Sequence, residues 1–207
     1  MHSPLASLTR EFGAEYSTFS GWEMPAHYYL PGTEYQAAHS RAVLRDASHW
    51  GRFLIGGKDH LEFLHRMSTN DFVNMEPGDG IEAVFPDNRG RILETGTFYS
   101  SADHTLAILS PPGRKRLPDW LDRYIFGEEF TVEDITKKSG MIELSGPHAT
   151  KLAGEVMGLE LNEFRTHNLA KQPRADGLWV ARLDWFDYPG LRLIGAAEII
   201  TLSLIHI

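Results

Sequence analysis

No cysteine occurs in the 207 residues, so disulfides, thiolate nucleophiles and cysteine-built zinc or iron–sulfur sites are excluded for the residues present. Nor is there an uninterrupted apolar run of about 18 residues, the length that crosses a bilayer as a helix. The N-terminus, MHSPLASLTREF, lacks the basic start and apolar stretch of a signal peptide, and a cytosolic setting (mitochondrial for a eukaryotic source) is the expectation. Basic residues are outnumbered: the formal charge is −8, which argues against a phosphate-backbone partner, so nucleic acid is not expected, and without a spanning apolar run neither is a membrane. HExxH, GxGxxG, the P-loop and GxSxG are all missing. The ten histidines are scattered, and His60 and His65 stand five apart, on different helix faces, so no metal site is expected. Ser145, in LSGP, reads as a helix cap rather than a nucleophile.

What is present fits a soluble globular protein of one or two domains with 42% apolar residues. The stretch GWEMPAHY, residues 21–28, crowds Trp22, Met24, Pro25 and Tyr28 beside one Glu and one His without evident helical or strand periodicity. It is either an irregular plug for the core or a wall of a pocket for a flat, partly polar ligand. EYQAAHSRAVL then has helical composition, with Tyr35, Ala38, Ala42 and Val43 on one face. RFLIGG reads as a buried strand ending at Gly56 and Gly57, and KDHLEFLHRM as a helix with Leu61, Phe63, Leu64 and Met67 inward.

Residues 80–85 and 91–99 read as strands joined by the turn formers PDNRG, and HTLAIL adds a third, making an antiparallel meander. Pro118 fits the first turn of a helix carrying Leu117, Leu121, Tyr124 and Ile125. FTVEDIT follows as a strand. GMIELSGPHATKLAGEVMG repeats the earlier grammar of strand, glycine turn and helix, opened here by Pro147 and stopped by Gly158. FLIGGKDHLEFL and IELSGPHATKL are either two related units or a chance likeness of two strand–helix turns. The expected class is α+β, antiparallel meanders with packed helices. The last residues, LSLIHI, translate a sequence that looks like a transposase adapter; 202–207 are expected to be a scar, the alternative being a native apolar strand.

GWEMPAHY, then EYQAAHSRAVLRDASHWGRFLIGG, then HRMSTNDF together resemble the glycine-cleavage T-protein (aminomethyltransferase) family, whose pattern runs G-W-x-M-P…R…D-x-S-H…G…T-N-D. The middle, GDGIEAVFPDNRGRILETGTFY with WLDRYIFGEEFTVEDIT, is more similar to the related YgfZ-type folate-binding proteins. The resemblance covers nearly the whole chain to about residue 195 and implies an N-terminal folate-binding region over 1–201, with about 50–137 an inserted α+β subdomain. It also implies a C-terminal barrel domain beyond this chain and a tetrahydrofolate cofactor in a cavity lined by strand ends. Trp50 takes a folate-facing position, and Ser110 and Arg114 match a cofactor-binding region. A reduced pterin with an anionic tail suits aromatic faces and guanidinium groups, here Trp50, Trp185, Arg91, Arg114 and Arg182, with Asn88 among the orienting groups, and Glu94, Ser110 and Tyr188 complete the cofactor-binding set that the resemblance implies.

The departures bear on mechanism. The family's G-G-x-x-D-D becomes GRILETG: Glu94 falls on the first acid and Thr95 on the second, which is held to be catalytic, so no catalytic residue is assigned. On a strand the two point to opposite faces, and Glu94 cannot replace the missing acid. The pterin-binding Glu of R-T-G-Y-T-G-E-x-G is replaced by Tyr188. The resemblance therefore implies a folate-binding accessory factor in iron–sulfur enzyme maintenance, with iron–sulfur proteins as partners. The alternatives are a tetrahydrofolate-dependent aminomethyltransferase or demethylase, and an inactive truncated fragment.

Overall fold

The computed structural model describes residues 1–158, 169–171, 177–184 and 188–206. They divide into two compact units, one of Trp50–Lys137 and one of Met1–His49 with most of the residues after Lys137. The class is α+β with antiparallel sheets.

The first unit opens with helix α1 (Ala6–Glu11) and a hairpin of β1 (Glu15–Phe19) and β2 (Trp22–His27). Ser20 and Gly21 turn the hairpin with φ of 49° and 80°, the paired positive values of a type I′ turn, whose twist matches that of the strands. GWEMPAHY is thus regular after all: Trp22 and Met24 are buried and alternate with exposed Glu23. Pro25 obscured that period, and the ribbon has only two strands, so a residue without an N–H does little harm. Helix α2 (Pro31–Ser40) starts earlier than the composition predicts because Pro31 presets its first turn, and it ends before Arg41. Ala42 and Val43 lie outside it, Val43 opening strand β3 (Val43–Asp46), and Tyr35 points to solvent, so the expected inward face is not formed.

The second unit runs β4 (Gly51–Gly56), α3 (His60–Met67), β5 (Gly80–Pro86), β6 (Ile92–Ser100), β7 (Thr105–Leu109), α4 (Gly113–Leu121) and β8 (Thr131–Asp134). Its antiparallel sheet has the order β5-β6-β7-β4-β8. Phe53, Phe63, Phe72, Phe85 and Phe98 fill its core, each ring contributing about 1.5–3 kcal/mol by burial. Pro118 sits well inside α4 rather than in its first turn. It removes one helical hydrogen bond, and the burial of Leu117 and Leu121 on the same helix offsets the loss.

The chain then returns to the first unit through β9 (Ser139–Ser145), α5 (Ala149–Met157), β10 (Leu169–Lys171), β11 (Trp179–Arg182), β12 (Gly190–Ala196) and α6 (Ala197–His206). The sheet order is β10-β11-β12-β9-β3. Helix α5 begins at Ala149, two residues past Pro147, with His148 as its N-cap, so Ser145 ends β9 and caps nothing; Gly158 stops the helix in the left-handed region, at φ 67°. The terminal segment continues α6 as helix through His206 rather than forming a strand.

The two sheets have one topology. In each, a strand–turn–helix is followed by a three-stranded meander and a helix, while the edge strand beside the first strand comes from elsewhere in the chain: β3 pairs with β9, and β8 with β4. The correspondence reaches individual atoms. The N-cap amide of α3, on Asp59, donates to the Glu129 carbonyl, as that of α5, on His148, donates to Arg41. Gly57 (φ 97°) and Gly146 (φ 119°) precede those caps, where a Cβ would stand 1.9 Å from Glu129 O and 2.7 Å from Arg41 O. This close passage explains the glycine turns of the two similar segments.

Candidate functional site

In the second unit, β6 begins within the run GRILETG and presents its two family positions on opposite faces. Glu94 is buried, 4% exposed, and Thr95 is exposed. The Glu94 carboxylate accepts the Ser110 hydroxyl at 2.9 Å and the Arg116 guanidinium at 2.7 Å, and the Thr95 amide approaches it at 3.2 Å. Ser110 Oγ in turn accepts the Gly113 amide at 3.1 Å, tying the start of α4 to the strand. A Cβ on Gly113 would fall 2.1 Å from Glu94 Oε2, so only glycine lets helix and carboxylate approach this closely. Glu94 is a structural anchor for the SPPGR loop.

That loop carries Arg114, whose Nε and Nη2 donate to Asp134 at 2.9 and 2.8 Å. Burial disfavours ionisation of Asp134, but hydrogen bonds from Thr136 and Arg114 outweigh it and hold the carboxyl below its usual value. Arg114, Lys115, Phe53, Pro111 and Val132 are among the residues lining an open cavity of about 480 Å³ beside Asp134. It combines an apolar wall with two cations, Arg114 and Lys115, and two carboxylates, Asp119 and Asp134, the latter paired with Arg114. Trp50, half-buried at the start of this unit, offers its carbonyl to the buried Arg52 at 2.7 Å.

Asn88 and Arg91 occupy the β5–β6 turn. Asn88 is exposed, and the Arg91 guanidinium closes on Asp87 at 2.7 and 2.8 Å, an ion pair internal to the turn. In the first unit, Arg182 ends β11 and pairs with Asp184 at 3.0 Å, while the Tyr188 ring meets His39 edge-on at 5.9 Å. Trp185 lies outside the described residues. Of the residues singled out in sequence, Glu94 and Ser110 are in direct contact, and Arg114 belongs to the same loop. Arg91, Arg114 and Arg182 each already hold an aspartate.

Sequence reasoning missed Arg116 and Asp134, the partners that decide what Glu94 and Arg114 do. A signal for Asp134 existed: Asp134-Ile-Thr136 repeats the spacing of Asp46-Ala-Ser48. In both, the carboxylate accepts the amide two residues on, at 2.9 Å, and the hydroxyl accepts a strand amide at 3.0 Å. Among the described residues no group of His, Asp and Glu is placed to hold a metal ion, and no helix is long and apolar enough to cross a membrane.

Against known proteins, the chain is 28% identical over 199 residues to an aminomethyltransferase of Anoxybacillus flavithermus, covering 95% of this chain and 54% of that protein. An aminomethyltransferase of Geobacillus sp. WCH70 is 28% identical over 164 residues, covering 79% and 45%. The chain spans about half the length of the curated relatives it matches. Among solved structures, the glycine cleavage system aminomethyltransferase T of Bartonella henselae superposes with a TM-score of 0.90 at 21% identity, covering 100% of this chain and 56% of that one, which shows the fold. The heterotetrameric sarcosine oxidase of Corynebacterium sp. U-96 gives 0.62 at 14% identity, covering 96% and 88%. Residues 5–182 match the GCVT N-terminal domain model, and the chain belongs to that family.

Proposed function

We propose that this chain is the folate-binding portion of an aminomethyltransferase-like protein, holding tetrahydrofolate without supplying the carboxylate that one-carbon transfer needs. The observation that carries the second half is the arrangement on β6. The only acid of the family pair, Glu94, is buried against Ser110 and Arg116, and the solvent-facing position is Thr95. A threonine hydroxyl is neither a general base nor a charged stabiliser at neutral pH.

Tetrahydrofolate when bound would supply nitrogens that take up a one-carbon unit. The chain's contribution is to bind and orient it. The cavity beside Arg114 and Lys115 supports a ring-bearing ligand, with Phe53 and Val132 against a ring and Lys115 toward a carboxylate, while Arg114 stays paired with Asp134. Trp50 and Ser110, in the same unit, are further groups that the family likeness assigns to this ligand. The relatives described above are aminomethyltransferases, and a role in iron–sulfur enzyme maintenance draws no support from them.

Titration of the chain's tryptophan fluorescence with tetrahydrofolate tests the first half, with saturable quenching expected. A flat titration of folded protein overturns it. For the second half, methylene-tetrahydrofolate formation by the longest natural form of the protein is compared with that of Thr95→Asp. The substitution is expected to raise turnover by roughly tenfold or more, the typical scale for adding a positioned acid or base being 10²–10⁴. Full wild-type turnover, unchanged by the substitution, would show that the acid is not needed.

A further inference from the structure

A groove in the first unit, between α2 and the strands β2 and β3, shares no lining residue with the Arg114 cavity. It encloses about 650 Å³, within the size range of small-molecule sites. Its floor and sides are largely apolar, with Ala37 and Ala38 on α2 facing Val43 and Leu44; two alanines side by side leave the helix low enough for a flat ring to lie against it.

Five ionisable groups other than tyrosine line this groove, and four are engaged within the fold. His27 faces Glu15 at 3.6 Å, and Glu34 accepts the amides of Tyr28 and Tyr29 at 2.7 and 3.3 Å. Arg45 donates to Glu143 at 2.9 Å, and Asp46 accepts the Ser48 amide and the Ser3 hydroxyl. The fifth is Arg41. Its guanidinium is exposed and makes no hydrogen bond or ion pair with any described residue.

One further donor is uncommitted. The Tyr28 hydroxyl has no partner among the described residues, and burial, then the nearby Asp46, push its pKa up to about 12, so it keeps its proton. A protein of net charge −8 thus presents, in one mostly apolar groove, a guanidinium and a phenolic O–H that have no partner among the described residues. Both donors lack an acceptor among the described residues, and Arg41 is the one charged group lining the groove without a hydrogen-bond or ion-pair partner there.

We propose that this groove binds a small aromatic monocarboxylate, its ring against Ala37, Ala38 and Leu44 and its carboxylate shared by Arg41 and the Tyr28 hydroxyl. The guanidinium fork matches a carboxylate's two oxygens, whereas a neutral amide of the same shape offers one acceptor and no charge.

The test uses 2-naphthoate and its neutral isostere 2-naphthamide, titrated into this chain and followed by calorimetry or by chemical-shift changes. Naphthoate is expected to bind about tenfold tighter than the amide, the share of a charge-assisted fork. Arg41→Gln should erase that preference while leaving naphthamide binding unchanged, and Tyr28→Phe should lower naphthoate affinity by about threefold, the share of one neutral hydrogen bond. Arg41→Lys, which keeps the charge and the backbone carbonyl contact to His148, should retain an intermediate preference and serves should the Gln variant fold poorly. Equal affinity for both probes, or a preference that survives Arg41→Gln, overturns the proposal. So does a failure of both probes to bind at millimolar concentration, which would leave the groove to a polypeptide occupant.

Discussion

Glu143 offers the sharpest stability test. It stands on β9 directly across from Arg45 on β3 and from Arg192 on β12, forming a three-residue charge ladder through the sheet. Glu143 is 4% exposed and Arg192 3%, and the Arg192 Nε and Nη2 donate to one carboxylate oxygen at 3.0 and 2.8 Å, while Arg45 takes the other. Half of the Arg45 side chain reaches water, so it loses little when its partner goes. Arg192 has no such recourse. Glu143→Leu leaves its guanidinium buried against an apolar side chain, a loss of about 3–5 kcal/mol. Against a total stability of roughly 5–15 kcal/mol, that is a large share. With a urea m-value of about 2 kcal/mol/M, the midpoint should fall by about 1.5–2.5 M. The double variant Glu143→Leu/Arg192→Met removes both buried charges together and should recover most of the loss. A single-variant shift under about 0.5 M, or a double variant no better than the single, would refute the reasoning, since the charge ladder would then not be what holds this part of the sheet.

Two further outcomes follow from the same geometry. Gly57→Ala must place a Cβ 1.9 Å from the Glu129 carbonyl at φ 97°, whereas Gly90→Ala, at φ 74°, meets nothing within 4 Å. The Gly90 variant should lose about 1 kcal/mol, for the left-handed backbone alone, and the Gly57 variant at least about 2 kcal/mol more; equal losses in urea melts would mean the close passage is not real. For Asp134, a folded pKa held below the unfolded value stabilises the fold above about pH 4, and that contribution disappears as pH falls through the folded value. Arg114→Met removes one of the groups holding it down, so the variant's carboxyl should titrate at higher pH by NMR, and its acid unfolding should begin at higher pH than that of the wild type. Identical titration curves would remove the Arg114–Asp134 pair from the account.

The periodic segments were readable because burial is carried by one face at a time. The α3 segment KDHLEFLHRM and the β5–β6–β7 meander emerge from their apolar spacing and from the turn chemistry of PDNRG. Misreadings arose at proline. Pro25 hid the alternation of Trp22 and Met24 in β2, Pro31 moved the start of α2, and Pro118 lies inside α4 instead of opening it. For Pro25 what decides the role is whether its missing N–H faces an open edge or a ladder, which depends on strand partners, whereas for Pro31 and Pro118 it is the position within the helix, set by where packing starts and ends the element. The candidate site was less legible for the same reason. Residue type nominated Arg91, Arg114 and Arg182, but the distance to Asp87, Asp134 and Asp184 determines whether a guanidinium is free, and Asp134, unlike the other two, lies twenty residues from its arginine.

The two equivalent aspartates show why a motif that identifies a family need not be the part that acts. Asp46 of DASH and Asp134 of EDIT use one carboxylate oxygen identically, accepting the amide of Ser48 or Thr136, whose hydroxyl then grips the first strand of a strand–helix unit. The same device appears in both units, so its role is to lock an edge strand onto a sheet. The second oxygen differs: for Asp46 it takes the Ser3 hydroxyl, and for Asp134 it takes Arg114 at the rim of a cavity. On the proposed reading of the Arg114 cavity, conformational anchoring and ligand chemistry are separated onto two oxygens of one side chain, and Asp134→Asn should divide them. An amide oriented with its oxygen toward the Thr136 amide still fixes β8, but its –NH₂ then faces the Arg114 guanidinium, so the ion pair is lost while the turn survives. The expected result is a modest fall in stability together with a changed anion affinity at the Arg114 cavity, read by fluorescence titration with tetrahydrofolate. A variant that unfolds outright would mean that the guanidinium contact, and not the shared turn, is what holds the edge strand in place.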